Sequence, residues 1–175
     1  LRGESELGAK LVLVRMQKKN VDEVWETLVG EQQEIRNSYN EMVFYLTEET
    51  DRQRMFSVRF RVFNEGVAFR YEIPPQPSFQ RIIVEDELTE FNIDLNGQAW
   101  RIPAYQATKY ELNYEKWPVY ELRDAVHTPL TVETDSNKFL AIHEAALYNY
   151  GSMTLKLSSE KILKADITPL SDGMK

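Results

Sequence analysis

Few side chains in this sequence could do chemistry, and two of them, His143 and Glu144, are adjacent. A carboxylate can bind a hard cation such as Ca²⁺, but that cation takes about 6–8 oxygen ligands, so one glutamate cannot form a complete site. The small residues Ala145 and Ala146 leave space beside Glu144 for ligands from elsewhere. By residue type alone, a glutamate at a strand end is usually solvated and a histidine usually packs at a core edge.

Three tryptophans offer aromatic faces, which pack well against the apolar face of a pyranose ring. Trp117 precedes Pro118 in a polar segment rich in tyrosine, so it is the best candidate for a sugar-contacting surface or a domain contact. The alternative is that Trp25, Trp100 and Trp117 are core or interdomain anchors, which is the usual role of such large side chains.

Other motifs argue against several classes of function. His127 and His143 lack the HExxH spacing of zinc hydrolases, and the absence of cysteine excludes disulfides, thiolate catalysis and zinc–sulfur sites. No G-x-S-x-G, P-loop or dinucleotide fingerprint occurs. The acidic run of Asp86, Glu87 and Glu90 lacks the spacing of a calcium-binding loop and is typical of a solvated loop.

Composition narrows the possible partners. The chain has 175 residues, with 21 Lys and Arg against 28 Asp and Glu, and a formal net charge of -7. A negative field repels phosphate backbones and anionic lipid, so neither nucleic acid nor a membrane is expected as a partner. No apolar run approaches the length of a membrane span, and no signal peptide is visible.

The elements that must position these residues are strands. Residues 57–62 and 67–73 alternate apolar with polar side chains around an Asn-Glu-Gly segment, which predicts a hairpin with Gly66 at positive φ. One face of the pair is apolar. The other carries Arg59, Arg61, Arg70 and Glu72, which we expect to pair across the strands rather than to bind phosphate.

Similar patterns predict strands along most of the chain. They occur at residues 10–17, 42–46, 81–85, 130–134, 138–142, 153–157 and 161–167. Residues 21–28 fit a short helix, although Val24, Trp25 and Leu28 also suit an irregular strand. Residues 111–120 remain unassigned, and residues 171–175 are expected to be a frayed tail. Many short strands between turn signals favour an all-β sandwich or barrel.

Several strings, in their order along the chain, resemble the N-terminal domain of glycoside hydrolase family 97. They are residues 25–31 (WETLVGE), 36–41 (RNSYNE), 60–72 (FRVFNEGVAFRYE), 87–91 (ELTEF) and 143–147 (HEAAL), together with Trp100 and Thr128-Pro129. The resemblance extends from about residue 25 to about residue 157. The strings at 60–72 and 143–147 are specific in combination, and either alone would be weak.

The resemblance implies an all-β fold, a β-supersandwich of the galactose-mutarotase-like type. Residues 1–170 would form a single N-terminal domain of a larger glycosidase, lacking its first strands if Leu7-Gly8 is the remnant of an earlier element. The family is one of bacterial α-glucosidases and α-galactosidases, which implies a periplasmic or extracellular location. Its catalytic (β/α)8 barrel, typically about 250 residues, cannot be encoded here. The chain alone is therefore expected to be inactive and to hold no catalytic residue.

The resemblance also assigns roles to particular residues. It implies a calcium site shared between domains, to which Glu144 supplies one carboxylate, with the catalytic barrel of the same polypeptide and an α-linked oligosaccharide as partners. His143 and Trp117 are predicted to contact substrate. The alternatives are a stand-alone carbohydrate-binding module, a purely structural buttress for the barrel, and a sugar epimerase, the last by analogy of fold alone.

Overall fold

The structure, a computed structural model, describes residues 7–8, 10–77, 82–93, 96–107, 111–134, 136, 138–148, 150–159 and 162–168. These residues form antiparallel strands and one short 3₁₀ turn, Val119–Glu121, so the predicted all-β class is confirmed. The chain divides into two compact units, an N-terminal unit of Gly3–Arg81 and a C-terminal unit made of Ile82–Lys175 with Leu1–Arg2. Within the described ranges, no helix is long and apolar enough to span a membrane.

The N-terminal unit is one antiparallel sheet in sequence order. Its strands are β1 (Leu11–Glu26), β2 (Glu34–Glu48), β3 (Met55–Val62) and β4 (Val67–Glu72). The predicted hairpin is formed by β3 and β4, with Val62 opposite Val67. On its apolar face, the rings of Phe44, Phe60 and Phe69 form a cross-strand row with centroids about 6 Å apart, at 5.9 and 6.0 Å. Alternation of side chains thus produced the expected two-faced sheet.

Two local predictions in this unit are wrong. Residues 21–28 do not form a helix, because β1 continues to Glu26 and its backbone pairs with β2, with Val21 opposite Tyr39. Gly66 does not adopt a positive φ. The loop between β3 and β4 is longer than a two-residue turn and is closed by a hydrogen bond from Phe63 N to Gly66 O (2.8 Å), so it does not need the left-handed conformation.

The C-terminal unit contains two four-stranded sheets that share one core. One sheet has the order β10-β9-β6-β7 and the other β5-β12-β11-β8. The strands are β5 (Glu90–Phe91), β6 (Gln98–Arg101), β7 (Glu115–Pro118), β8 (Val126–His127), β9 (Leu130–Glu133), β10 (Phe139–Ile142), β11 (Met153–Leu157) and β12 (Leu163–Ile167). Ala99, Leu130 and Leu155, drawn from both sheets, are fully buried in the same apolar cluster.

Most strand predictions for this unit are confirmed, since β9 to β12 lie within the predicted segments. The prediction of a strand at residues 81–85 is wrong, because within residues 82–85 only Val84 makes an isolated β-bridge, and residue 81 lies outside the described part of the chain. The unassigned segment 111–120 contains β7 and the start of the 3₁₀ turn. The predicted frayed tail, residues 171–175, also lies outside the described residues.

Candidate functional site

The candidate residues His143 and Glu144 lie immediately after the end of strand β10. Antiparallel pairing with β9 sets Ile142 opposite Leu130, and the Ile142 side chain is buried in the core. The chain then leaves the sheet, and His143 and Glu144 follow directly. Because β10 is an edge strand of its sheet, both side chains lie at a border of the C-terminal unit, where His143 is exposed and Glu144 half-buried.

The Glu144 carboxylate is held by backbone. Its Oε1 atom accepts a hydrogen bond from the N–H of Met153, the first residue of β11. The contact joins the end of one sheet to the start of a strand in the other, so the carboxylate has a fixed position. No described residue donates a hydrogen bond to the second oxygen, Oε2, which leaves one oxygen for an external ligand.

Met153 also helps to position the imidazole of His143, through Thr128. The hydroxyl of Thr128 donates to the carbonyl oxygen of Met153 (3.3 Å) and lies 3.2 Å from His143 Nδ1. A hydroxyl has a single proton to donate, so the tautomer that keeps both contacts of Thr128 is the one in which Nδ1 is the donor. In the neutral imidazole, Nε2 is then a hydrogen-bond acceptor. Thr128, which precedes a cis peptide bond to Pro129, was not singled out as a site residue by the sequence.

The chemistry of this donor set fits one part of a calcium site. Within the described part of the chain, no three or more His, Asp or Glu side chains converge on a point that could hold a metal ion. Glu144 Oε2 is a hard oxygen donor and suits Ca²⁺, but the cation needs several more oxygen ligands. A complete site would therefore need ligands from outside the described residues.

Trp117 lies away from these residues, on β7. Strands β10 and β7 are the two opposite edges of one sheet, three strand spacings apart, or about 14 Å. The guanidinium of Arg101 lies 4.0 Å from the centroid of the Trp117 ring and covers it, and Trp117 packs against the core. The structure thus does not bring Trp117 together with His143 and Glu144, and its contact with substrate stays a prediction.

The other two tryptophans are more open. Trp25, on β1, has 54% of its surface exposed, and Trp100, on β6, has 38%. The ammonium of Lys116 lies 5.2 Å from the Trp100 ring centroid. Neither ring is a core anchor within its own unit, so of the two alternatives for these tryptophans only the role of interdomain anchor stays a prediction.

The acidic run contains an internal contact that residue type did not reveal. Glu87 accepts hydrogen bonds from the hydroxyls of Thr89 (2.6 Å) and Tyr150 (2.7 Å). Its carboxylate therefore ties the segment before β5 to the segment before β11. The expectation of a simply solvated loop is wrong for Glu87. Because Glu87 and Tyr150 are 63 positions apart, no local sequence pattern could have predicted their contact.

The arginines of the N-terminal unit form the predicted cross-strand network. Arg59 donates to Glu72 (2.8 and 3.1 Å) and to Glu41 (2.6 Å), while Arg61 donates to Glu41 (3.0 Å) and Arg70 to Glu72 (2.8 Å). The hydrogen bond from Arg59 is the main cause that lowers the pKa of Glu72 to about 2. Because carboxylates already occupy these guanidinium groups, the surface is a charge lattice rather than a phosphate site.

Comparison with known proteins bears on the whole chain. Residues 2–170 match the family described as Glycosyl-hydrolase 97 N-terminal. A glycoside hydrolase family 97 enzyme from Pseudoalteromonas sp. strain K8, solved in complex with acarbose, is 33% identical with a TM-score of 0.87. It aligns with 94% of this chain and 25% of its own. A variant enzyme from the same strain, in complex with panose, gives the same identity and TM-score.

A more distant structure shares the fold alone. A β-arabinopyranosidase, 21% identical, aligns with 93% of this chain and 28% of its own, with a TM-score of 0.81. These similarities confirm the predicted β-sandwich fold. The chain spans about a quarter of the length of the solved enzymes that it matches.

Proposed function

The chain belongs to the glycosyl-hydrolase 97 N-terminal family, and on this basis we propose that it is the accessory N-terminal part of a calcium-dependent α-glycosidase. It packs on a catalytic barrel of the same polypeptide, shapes the carbohydrate pocket and lends one carboxylate to the metal. The acarbose and panose complexes of its relatives support an α-linked oligosaccharide as the substrate class.

One observation carries the assignment of Glu144. The Met153 N–H fixes one carboxylate oxygen at the border of the C-terminal unit, and no described residue donates to the other. A fixed carboxylate loses little freedom when a ligand binds, so it is well suited to complete a site whose other donors come from a neighbouring domain. When bound there, calcium would polarise a sugar hydroxyl or orient the catalytic acid.

His143 has a supporting role in this proposal. Its Nδ1 is engaged by Thr128, so the ring orientation is set and Nε2 presents an acceptor to solvent. A sugar hydroxyl is a suitable donor to that nitrogen. The imidazole thereby orients the substrate beside Glu144 without taking part in bond cleavage.

The test replaces Glu144 in the full-length enzyme. Glu144→Gln keeps the shape of the side chain but removes its charge, so calcium binding weakens and we expect kcat/KM for a maltooligosaccharide to fall about 10–100-fold. The loss should be reduced by raising calcium. Glu121→Gln, an exposed carboxylate of the same unit, serves as the control and should leave kcat/KM unchanged. Undiminished hydrolysis and an unchanged calcium dependence in Glu144→Gln would remove the metal role.

A further inference from the structure

The β1–β2 hairpin extends beyond the rest of its sheet. Strand β3 pairs with β2 only as far as Asn40, opposite Val62, whereas β1 and β2 continue to pair from Val21 opposite Tyr39 to Glu26 opposite Glu34. The last six residue pairs therefore form a two-stranded arm. A two-stranded ribbon has no core of its own, so specific side-chain contacts are needed to stabilise it.

Polar contacts hold the arm in register. Arg36 donates two hydrogen bonds to Asp22 (2.8 and 2.7 Å), and Asn37 donates one to Glu23 (2.7 Å). The turn is closed by a hydrogen bond from Thr27 N to Gln33 O (2.8 Å). Gly30 lies in this turn at φ 127°, a conformation that side-chain-bearing residues rarely adopt. The arm thus presents a defined tip.

Exposed apolar side chains lie at the end of this polar arm. We define the arm tip as Val24, Trp25, Leu28 and Val29, of which Leu28 is 103% exposed and Val29 86% exposed. Single exposed apolar residues are common, but four neighbouring ones at the end of a projecting hairpin mark an interaction site. Nothing in the arm itself requires them, because its register is held by polar contacts.

The charge around the arm tip restricts its partner. The arm, residues 21–39, contains five carboxylates and one basic residue, Arg36, which is paired with Asp22. The carboxylates are Asp22, Glu23, Glu26, Glu31 and Glu34. Anionic lipid and nucleic acid are repelled by such a rim, whereas an apolar socket bordered by lysine or arginine is complementary to it.

The length of chain outside the structure points to the occupant. Solved relatives align with this chain over only about a quarter of their own length, which leaves a large protein surface that the two units do not supply. We propose that the arm tip inserts into an apolar, basic-rimmed socket on the remaining part of the same polypeptide. This inference rests on the proposed function, because it takes the catalytic domain as the partner, and it adds a second docking element besides Glu144.

The experiment is hydrogen–deuterium exchange with mass spectrometry on the full-length enzyme. Residues 24–33 should exchange at least about tenfold more slowly in the native enzyme than in a Leu28→Asp/Val29→Asp double variant, since burial of the tip excludes solvent from the turn. Leu28→Met keeps the apolar surface and should retain the protection. Val67→Asp, a 63% exposed apolar residue at the β3–β4 loop, should leave exchange of residues 24–33 unchanged.

Other occupants give different results. Protection that rises with protein concentration identifies a second copy, and protection that appears only with added lipid vesicles identifies a membrane; either result overturns the proposal. Equal exchange in native enzyme and double variant also overturns it. Calcium-dependent hydrolysis of the native enzyme and its loss in Glu144→Gln report on the proposed function separately. The exchange measurement can therefore contradict the docking of the arm tip while the hydrolysis measurement supports the proposed function. The opposite pair of results is equally recognisable.

Discussion

Gly97 precedes β6 at a point where the backbone of β9 passes very close. A Cβ atom at this position would lie 2.6 Å from the carbonyl oxygen of Glu133 and 2.8 Å from Val132 Cγ1. Since backbone cannot move aside easily, we expect Gly97→Ala to lower the free energy of unfolding by about 1–3 kcal/mol. Urea denaturation followed by circular dichroism measures this change.

Gly66 supplies the control for that substitution. Its Cβ would meet no atom within 4 Å, and its φ is not positive. Gly66→Ala should therefore change the free energy of unfolding by no more than about 0.5 kcal/mol. Equal effects of the two substitutions would contradict the close approach at Gly97.

At the same scale, the candidate site was only partly accessible to sequence reasoning. The string at 143–147 singled out Glu144, although residue type alone made it an ordinary solvated glutamate. The contacts that orient it were not predictable. Met153 acts through its backbone N–H, 9 residues after Glu144, and Thr128 through its hydroxyl, 15 residues before His143. Every residue type except proline offers a backbone N–H, so the sequence does not single out Met153.

Among the elements, the β2–β3–β4 charge lattice makes a pH-dependent contribution to stability. The hydrogen bond from Arg59 is the main cause that lowers the pKa of Glu72 to about 2, against an ordinary value of 4.5. A lowered pKa stabilises the fold fully above the ordinary value, and this stabilisation is lost as pH falls toward 2. We expect Glu72→Gln to cost about 1–2 kcal/mol at pH 7, allowing for solvent screening of a side chain that is 28% exposed.

The difference between native protein and Glu72→Gln should shrink by more than half between pH 7 and pH 3. Urea denaturation at a series of pH values measures it. Glu65→Gln, at the exposed turn between β3 and β4, should show no such pH-dependent difference. A constant difference across the pH range would show that Glu72 stabilises the sheet by packing rather than by charge.

The success of strand prediction follows from the alternation of residue types along each strand. Strands β3, β4, β11 and β12 alternate apolar with small or polar residues, so a period of two is visible in their sequence, and in β12 burial alternates as well. The short strands β6 and β7 contain Arg101, Glu115 and Pro118, and they are defined by pairing with each other rather than by an apolar pattern. The helix prediction at residues 21–28 was wrong for a related reason. The arm of β1 and β2 has no face packed on a core, so its sequence shows no regular alternation.

At the scale of the whole molecule, the boundary between the two compact units, at Arg81, follows a proline-rich segment, Pro74-Pro75-Gln76-Pro77. The sequence marks this segment as a turn, and no glycine- or serine-rich linker accompanies it. The prediction of a single domain over residues 1–170 was based on the family resemblance and on the lack of an evident linker, and it stays a prediction. Composition, in contrast, predicts ordered structure at this scale, because 42% hydrophobic residues suffice for cores of the kind seen in the C-terminal unit.

Calcium should act on the longer polypeptide and not on this chain alone. One carboxylate from Glu144 cannot satisfy the cation, so saturating calcium should shift the Tm of residues 1–175 by less than about 1 °C. In the full-length enzyme, a ligand at about 100 times its Kd stabilises the bound state by about 2.7 kcal/mol, which should raise the Tm by a few degrees and be reversed by chelator. Differential scanning calorimetry measures both shifts.

Glu144→Gln should reduce the calcium-dependent rise in the Tm of the full-length enzyme, and Glu121→Gln should not. A calcium-dependent rise in the Tm of residues 1–175 alone would instead place a complete site within this chain.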